Sequence, residues 1–295
     1  MKVLVLGATG MLGHKLLQSL SKQFSTKGTI RGDGSGFRGY PGVSSGSIIA
    51  HVDAGDITGV KTAIEEYKPD VVINCIGIVK QLPTAHDPLQ SIAINALFPH
   101  QVAHICQKRG VRLIHVSTDC VFSGHKGNYH EDDFADADDL YGRTKYLGEV
   151  DYENALTLRT SIIGRELGTS HGLIEWFLSQ DGGTVSGYTN AIFSGLTTNA
   201  LSDVIATIIT DYPEMRGVWH VASEPISKYD LLKLAKTVYN LSIEIQPDNS
   251  VVIDRSLNGN KLRENTNIII PSWQTMIEQM HQDPTPYAPM RSKKC

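Results

Sequence analysis

The feature that most limits how this chain can fold is a glycine-spaced turn. Gly7-Ala8-Thr9-Gly10-Met11-Leu12-Gly13 follows the apolar run Lys2–Leu6 directly and opens the amphipathic stretch Met11–Lys22. A glycine pattern alone is weak evidence, because any α/β protein can use one as a plain turn. Placed between a strand and a helix it gains meaning. One glycine lets the strand turn tightly, the next lets backbone amides approach a pyrophosphate, and the last lets the helix pack on the strand. The helix N-terminus then offers unpaired N–H groups and a partial positive charge to phosphate. Gly7, Thr9, Gly10, Met11, Leu12 and Gly13 are therefore expected to contact a dinucleotide.

The first half continues with apolar strands and amphipathic segments in alternation, the pattern of a parallel sheet covered by helices on both faces. Strands are predicted at Lys2–Leu6, Gly28–Arg31, Val71–Asn74, Arg112–Val116 and Leu156–Leu158, and helices at Met11–Lys22, Val60–Tyr67, Leu89–Lys108 and Leu140–Asp151. The fold class is α/β: a Rossmann-type doubly wound parallel sheet with a smaller C-terminal substrate-binding lobe. Residues 1–163 and 199–221 are assigned to the dinucleotide-binding domain, with Asn199–Thr210 packing on the sheet and Val218–Val221 joining it. Residues 164–198 and 222–280 form the lobe, and residues 281–295 a tail whose polar end, Arg291–Cys295, is frayed.

Composition narrows the function classes. A net charge of −4 over 295 residues, with 41% hydrophobic and 20% charged residues, fits an ordinary globular protein and argues against nucleic acid as the main partner. No apolar stretch is long enough to span a bilayer. The opening run is also too short for a signal-peptide core. Cys75, Cys106, Cys120 and Cys295 lack metal-type spacing. His171 and His220 likewise have no ligand spacing, so no metal is expected. A reducing cytoplasm fits best.

The end of the second strand decides the cofactor. An acidic residue there would bind a free ribose 2′-hydroxyl, whereas Arg31, with Arg38 beyond it, suits a 2′-phosphate. NADP(H) is favoured, and Asp33 nearby keeps NAD(H) open. Asp56 and Ile57 are placed at the adenine, and Asn74, Cys75, Ile76 and Gly77 at a strand end that faces the same crevice.

Tyr141-Gly142-Arg143-Thr144-Lys145 puts a phenol and an ammonium one turn apart on one helix face. Reduction of a carbonyl needs a proton donor as charge develops on oxygen. A phenol with a pKa of about 10 is a poor match to neutral pH unless a neighbouring cation lowers it. Tyr141 is expected to donate and Lys145 to lower its pKa. A strand-end hydroxyl, Ser117 or Thr118, would fix the carbonyl. His115, on an apolar strand, reads as a core histidine. Lys80, Gln81 and Arg165 follow strand ends facing the cleft and are expected to contact a diphosphate or sugar.

Together the glycine turn, Ser117-Thr118-Asp119-Cys120-Val121-Phe122 and Tyr141–Lys145 resemble the extended short-chain dehydrogenases/reductases, and more narrowly the dTDP-4-dehydrorhamnose reductase family. Ile94-Asn95-Ala96, Leu158-Arg159-Thr160-Ser161 and Gly195-Leu196-Thr197-Thr198 extend the similarity over about two-thirds of the chain. The resemblance implies Thr118, Tyr141 and Lys145 as the catalytic triad, Asn95 among the cofactor contacts, and Cys120 and Thr197 near a nucleotide-linked sugar. It departs from the family pattern at Cys120, where an aromatic residue is usual. The expected activity is NADPH-dependent reduction of the keto group of a nucleotide-linked deoxysugar. The alternatives are an epimerase or dehydratase of the same fold, or a non-catalytic NADP-binding regulatory subunit such as a related branch supplies to methionine adenosyltransferase. A homodimer stays open.

Overall fold

The structure, a computed structural model, describes residues 1–34, 40 and 43–287. The chain runs β1 (Lys2–Leu6), α1 (Met11–Leu20), β2 (Ser25–Thr29), β3 (Ile48–Ile49), α2 (Ile57–Tyr67), β4 (Val71–Asn74), α3 (Pro88–Ser91), a π-helical segment Ile92–Leu97, α4 (Phe98–Gln107), β5 (Arg112–Val116), α5 (Leu140–Leu147) and β6 (Ala155–Arg159). It continues with β7 (Ile162–Ile163), α6 (Leu173–Leu178), β8 (Thr184–Phe193), β9 (Leu196–Thr197), α7 (Thr198–Asp211), β10 (Gly217–His220), β11 (Ile226–Ser227), α8 (Lys228–Val238), β12 (Glu244–Asp254), α9 (Asn260–Asn265) and α10 (Trp273–His281).

Seven strands form one parallel sheet in the order β10-β6-β5-β4-β1-β2-β3. Both faces are covered, and β1 shows it: Val3 and Val5 pack into one apolar core, Leu4 and Leu6 into another. The order reverses between β1 and β4, so the crevice at their carboxyl ends lies between the glycine turn and residues 75–77. A second sheet, β11-β8-β12, carries the lobe, and the core containing Val3 continues into it through Phe177, Val185, Phe193 and Leu231. Among the described residues no helix is long and apolar enough to cross a membrane.

Several boundaries differ from expectation, each for a physical reason. β2 begins at Ser25 and ends at Thr29, so Arg31 lies beyond it. Gly28 is required inside that strand, because a Cβ there would meet the Ala8 side chain at 2.5 Å. The helix expected at Leu89–Lys108 runs unbroken from Pro88 to Gln107, with a π-helical stretch at Ile92–Leu97. Pro99 has no N–H to offer the Asn95 carbonyl, which removes one α-helical hydrogen bond where the π segment lies. α5 stops at Leu147 because Gly148 crosses that same carbonyl, where a Cβ would lie 1.9 Å from the oxygen. The tail packs on the domain as far as Tyr287: the Asp283 and Tyr287 side chains are buried against α1. Residues 288–295 and Arg38 lie outside the described residues.

Just past α5 the chain turns inward at Glu149, which accepts from Arg159 Nε at 2.8 Å and from Nη2 at 2.7 Å. Both side chains are about 95% buried, and Arg159 Nη1 also donates to the Glu131 carbonyl. This pair ties the end of the Tyr141 helix to β6. Removing one partner strands the other charge, so Arg159→Leu should lower unfolding free energy by about 3 kcal/mol in urea titrations.

Candidate active site

The glycine turn is shaped by steric necessity. Gly7 has φ +83°, and a Cβ on Gly13 would lie 2.1 Å from the Gly7 carbonyl oxygen. At Gly10 the nearest such contact is 3.4 Å, so the turn is open where Gly13 is closed. α1 begins at Gly10 with no side-chain cap and no acidic residue in its first turn, and Thr9 and Gly10 are exposed. Its first amides are thus free to meet an anion, which fits a dinucleotide phosphate. Leu12 is buried in the core behind the turn, so only its backbone can take part. Arg31 is exposed beyond β2. Asp56 caps α2 by accepting from Thr58 N at 2.9 Å, and Ile57 begins that helix.

Across the crevice, Asn74 is fully buried. Its Oδ1 accepts from Ile76 N at 3.0 Å, and its Nδ2 donates to His115 Nδ1 at 3.1 Å. Asn74 therefore shapes the turn through Cys75 and Ile76 from beneath instead of facing a ligand, which corrects the expected direct contact. Burial holds His115 neutral, the core role expected for it. Asn95 clamps the same loop, accepting from Ile78 N at 2.8 Å and donating to Ile78 O at 3.0 Å. The clamp keeps Gly77 beside the lysine: a Cβ at Gly77 would lie 3.9 Å from Lys145 Nζ.

Ser117 and Thr118 point to different tasks. Ser117 Oγ donates to Glu149 Oε1 at 2.7 Å and so belongs to the buried ion pair. Thr118 Oγ1 accepts from Cys120 N at 3.1 Å, donates to Asp119 Oδ1 at 3.2 Å, and lies close enough to the Tyr141 phenol to act on its pKa. The expected lowering of the phenol by Lys145 is outweighed. Burial, then the neighbouring Cys120, Asp119 and Asp139, push the Tyr141 pKa upward, so the proton stays on at neutral pH. Lys145 Nζ instead donates to the Val116 carbonyl at 3.0 Å, and burial pulls its pKa down to about 8.

The expected substrate contacts separate. Lys80 pairs with Asp139, the cap of α5, at 2.5 Å, fastening the loop after β4 to the helix of Tyr141; Gln81 beside it is exposed. Cys120 is half-buried next to Thr118, its thiol pushed up to about 12 by burial. Two expectations are corrected. Thr197 is fully buried and caps α7 by accepting from Ala200 N, so its hydroxyl is engaged. Arg165 is held by Glu175 at 2.8 Å and stacks over Tyr287, so its charge serves packing.

Sequence reasoning missed the lobe's cations. Lys228, the first residue of α8, lies 3.8 Å from the centre of the Phe193 ring, and Arg255, just past β12, donates to the Phe122 carbonyl at 2.8 Å. Both act on the buried Asp119 carboxyl, opposing the rise that burial imposes on its pKa. The signal available was the Ser227 cap, which fixes where α8 starts and hence where Lys228 stands.

Residues 1–285 match the RmlD substrate binding domain family. A probable low-salt glycan biosynthesis reductase of Haloferax volcanii is 29% identical over 236 residues, 76% of this chain and 75% of that protein. A dTDP-4-dehydrorhamnose reductase of Streptomyces griseus is 33% identical over 147 residues, 50% of this chain and 43% of that protein. The crystal structure of a dTDP-4-dehydrorhamnose reductase from Bacillus anthracis in complex with NADP superposes with a TM-score of 0.76 at 21% identity, covering 95% of this chain and 98% of that one.

Burying Lys145 has a consequence for stability. Between pH 8 and 10.5 the unfolded chain binds a proton that the folded chain has released, so stability rises with pH across that window, and the buried charge costs most below it. Lys145→Met should therefore stabilise the unliganded protein at pH 7 by about 2 kcal/mol. Thermal unfolding as a function of pH should show that gain shrinking as the pH passes from 8 to 10.5.

Proposed function

The chain belongs to the RmlD substrate binding domain family, and on that premise we propose that it is an NADPH-dependent reductase of a nucleotide-linked deoxysugar, acting on a keto group as dTDP-4-dehydrorhamnose reductases do. The observation that carries this reading is the meeting of the Thr118 hydroxyl and a proton-bearing Tyr141 phenol beside Lys145, at the strand ends that face the open glycine turn. NADPH, when bound, supplies the hydride.

The chain's own groups do the rest. Tyr141 gives its proton to the substrate oxygen as that oxygen becomes basic. Thr118, held by the Cys120 amide, turns its one hydroxyl proton from Asp119 to that oxygen and orients it. Lys145, fixed by the Val116 carbonyl, compensates the phenolate left behind. With the dinucleotide bound, the free amides that open α1, Met11 first, would hold its phosphates, Arg31 would face the 2′-phosphate, and residues 75–77 would close the other side of the crevice. Residues 1–163 with 199–221 serve the cofactor, and residues 164–198 with 222–280 the sugar nucleotide. Lys228 and Arg255 bring two cations from the lobe to one buried carboxylate, Asp119, and the surplus charge suits the substrate diphosphate.

Tyr141→Phe should fold, bind NADPH as the parent does, and lose about 10²–10⁴-fold in turnover of a dTDP-4-keto-6-deoxysugar. Turnover at the parent rate would remove Tyr141 as the donor and favour a regulatory role. Arg31→Ala should weaken NADPH binding at least tenfold and leave NADH unchanged, as read by parallel fluorescence titrations; equal losses for both cofactors would refute the 2′-phosphate assignment.

A further inference from the structure

Beyond α10 the chain crosses back over the outer face of α1, far in sequence from the turn that α1 opens. The Asp283 carboxylate accepts from Lys15 Nζ at 2.5 Å, from Asn199 Nδ2 at 2.8 Å and from Thr285 N at 3.0 Å. Burial works against its ionisation, but the hydrogen bonds from Lys15, Thr285 and Asn199 outweigh that and hold its pKa at about 2. Tyr287, 4% exposed, then sets its hydroxyl 3.2 Å from His14 Nε2.

The direction of each bond follows from elementary chemistry. His14 Nδ1 lies 2.8 Å from the Gly10 carbonyl oxygen, which can only accept, so Nδ1 carries the proton. Burial pulls His14 down to about 4, so at neutral pH the ring has one proton and Nε2 is a bare lone pair. Tyr287 must therefore donate to Nε2. The result is a directed relay: Tyr287 O–H to His14, and His14 N–H to Gly10. Its endpoint matters because the Gly10 carbonyl and the Met11 N–H share one trans planar peptide. Holding the carbonyl into the helix aims the Met11 N–H the opposite way, into the glycine turn.

We propose that Tyr287 and His14 are positioning residues for the dinucleotide turn: the C-terminal segment, anchored by Asp283 on Lys15, orients the Gly10–Met11 peptide through this relay and thereby sets cofactor affinity. The inference rests on the glycine turn binding NADPH. Tyr40, buried edge-on against His14 at a ring separation of 5.8 Å, packs on the same relay.

The test compares the parent, Tyr287→Phe, His14→Leu and the double variant by fluorescence titration with NADPH, beside thermal unfolding and hydrogen exchange at the Met11 amide. Tyr287→Phe removes only a hydroxyl, so it should fold and bind NADPH about fivefold more weakly. The Met11 amide should exchange faster in the absence of cofactor. With sugar nucleotide present, the KM for NADPH should rise while kcat at saturating NADPH stays within about twofold of the parent. Because the relay acts as one unit, the double variant should bind no more weakly than His14→Leu. Parent-like NADPH affinity in Tyr287→Phe, or additive losses in the double variant, would overturn the proposal. If His14→Leu fails to fold, Tyr287→Phe alone decides. A parent protein that does not bind NADPH overturns the dinucleotide reading and this proposal with it, whereas a binding parent beside an equally tight Tyr287→Phe overturns this proposal alone.

Discussion

Between Gly13 and the Gly7 carbonyl there is no room for even one carbon atom, and this closeness is what lets α1 start directly on the end of β1. A helix held that near the strand must aim its first amides at the crevice, and its next turns must bury Leu16, Leu17 and Leu20 against the sheet. The same approach leaves Gly28 as the residue that fits opposite Ala8, which sets β2 beside β1. The open helix start and the core packing therefore share one backbone geometry. A substitution at Gly13 damages both, and the site cannot be loosened without loosening the fold.

The active site holds charges that a stability-driven design would omit. Lys145 is buried with a carbonyl as its hydrogen-bond partner, and Asp119 is buried facing two cations instead of a bonded ion pair. Each is expensive to desolvate. The cost is offset nearby: the Glu149–Arg159 pair has two-point geometry and a further hydrogen bond from Ser117, so its charges are well compensated. It stands immediately behind the catalytic strand and helix.

What the sequence made legible follows from the range of the interactions involved. Strands β1, β4 and β5 lie at their expected residues because a buried parallel strand writes its own apolar run. The Tyr141–Lys145 face was readable because helical spacing is local. β2 was misplaced because its buried positions are Thr26, Gly28 and Thr29, small residues chosen to fit Ala8 and Leu17, which no hydrophobicity pattern reveals. Gly148 ends α5 through a contact with Asn95, and Arg165 is taken up by Glu175 and Tyr287. Both events depend on chain segments that meet only in three dimensions. The packing of the C-terminal tail was illegible for the same reason: Asp283 is apolar to no pattern, and its burial makes sense only once Lys15 is opposite.

The protonation state of Tyr141 bears on which reaction this fold supports. An epimerase must begin by removing a proton from a sugar hydroxyl, which calls for a phenol that gives up its own proton readily. Here burial and the neighbouring Cys120, Asp119 and Asp139 all push the phenol's pKa up, and Thr118 reverses only part of that. A phenol kept protonated at neutral pH has a proton to give to a carbonyl that is being reduced, but its raised pKa makes it a weaker acid, which the growing basicity of the substrate oxygen must offset. The same neighbours explain why a residue pair one turn apart is not enough to define the chemistry: Lys145 is bound to Val116 O, and the balance at the phenol is set by residues 119, 120 and 139.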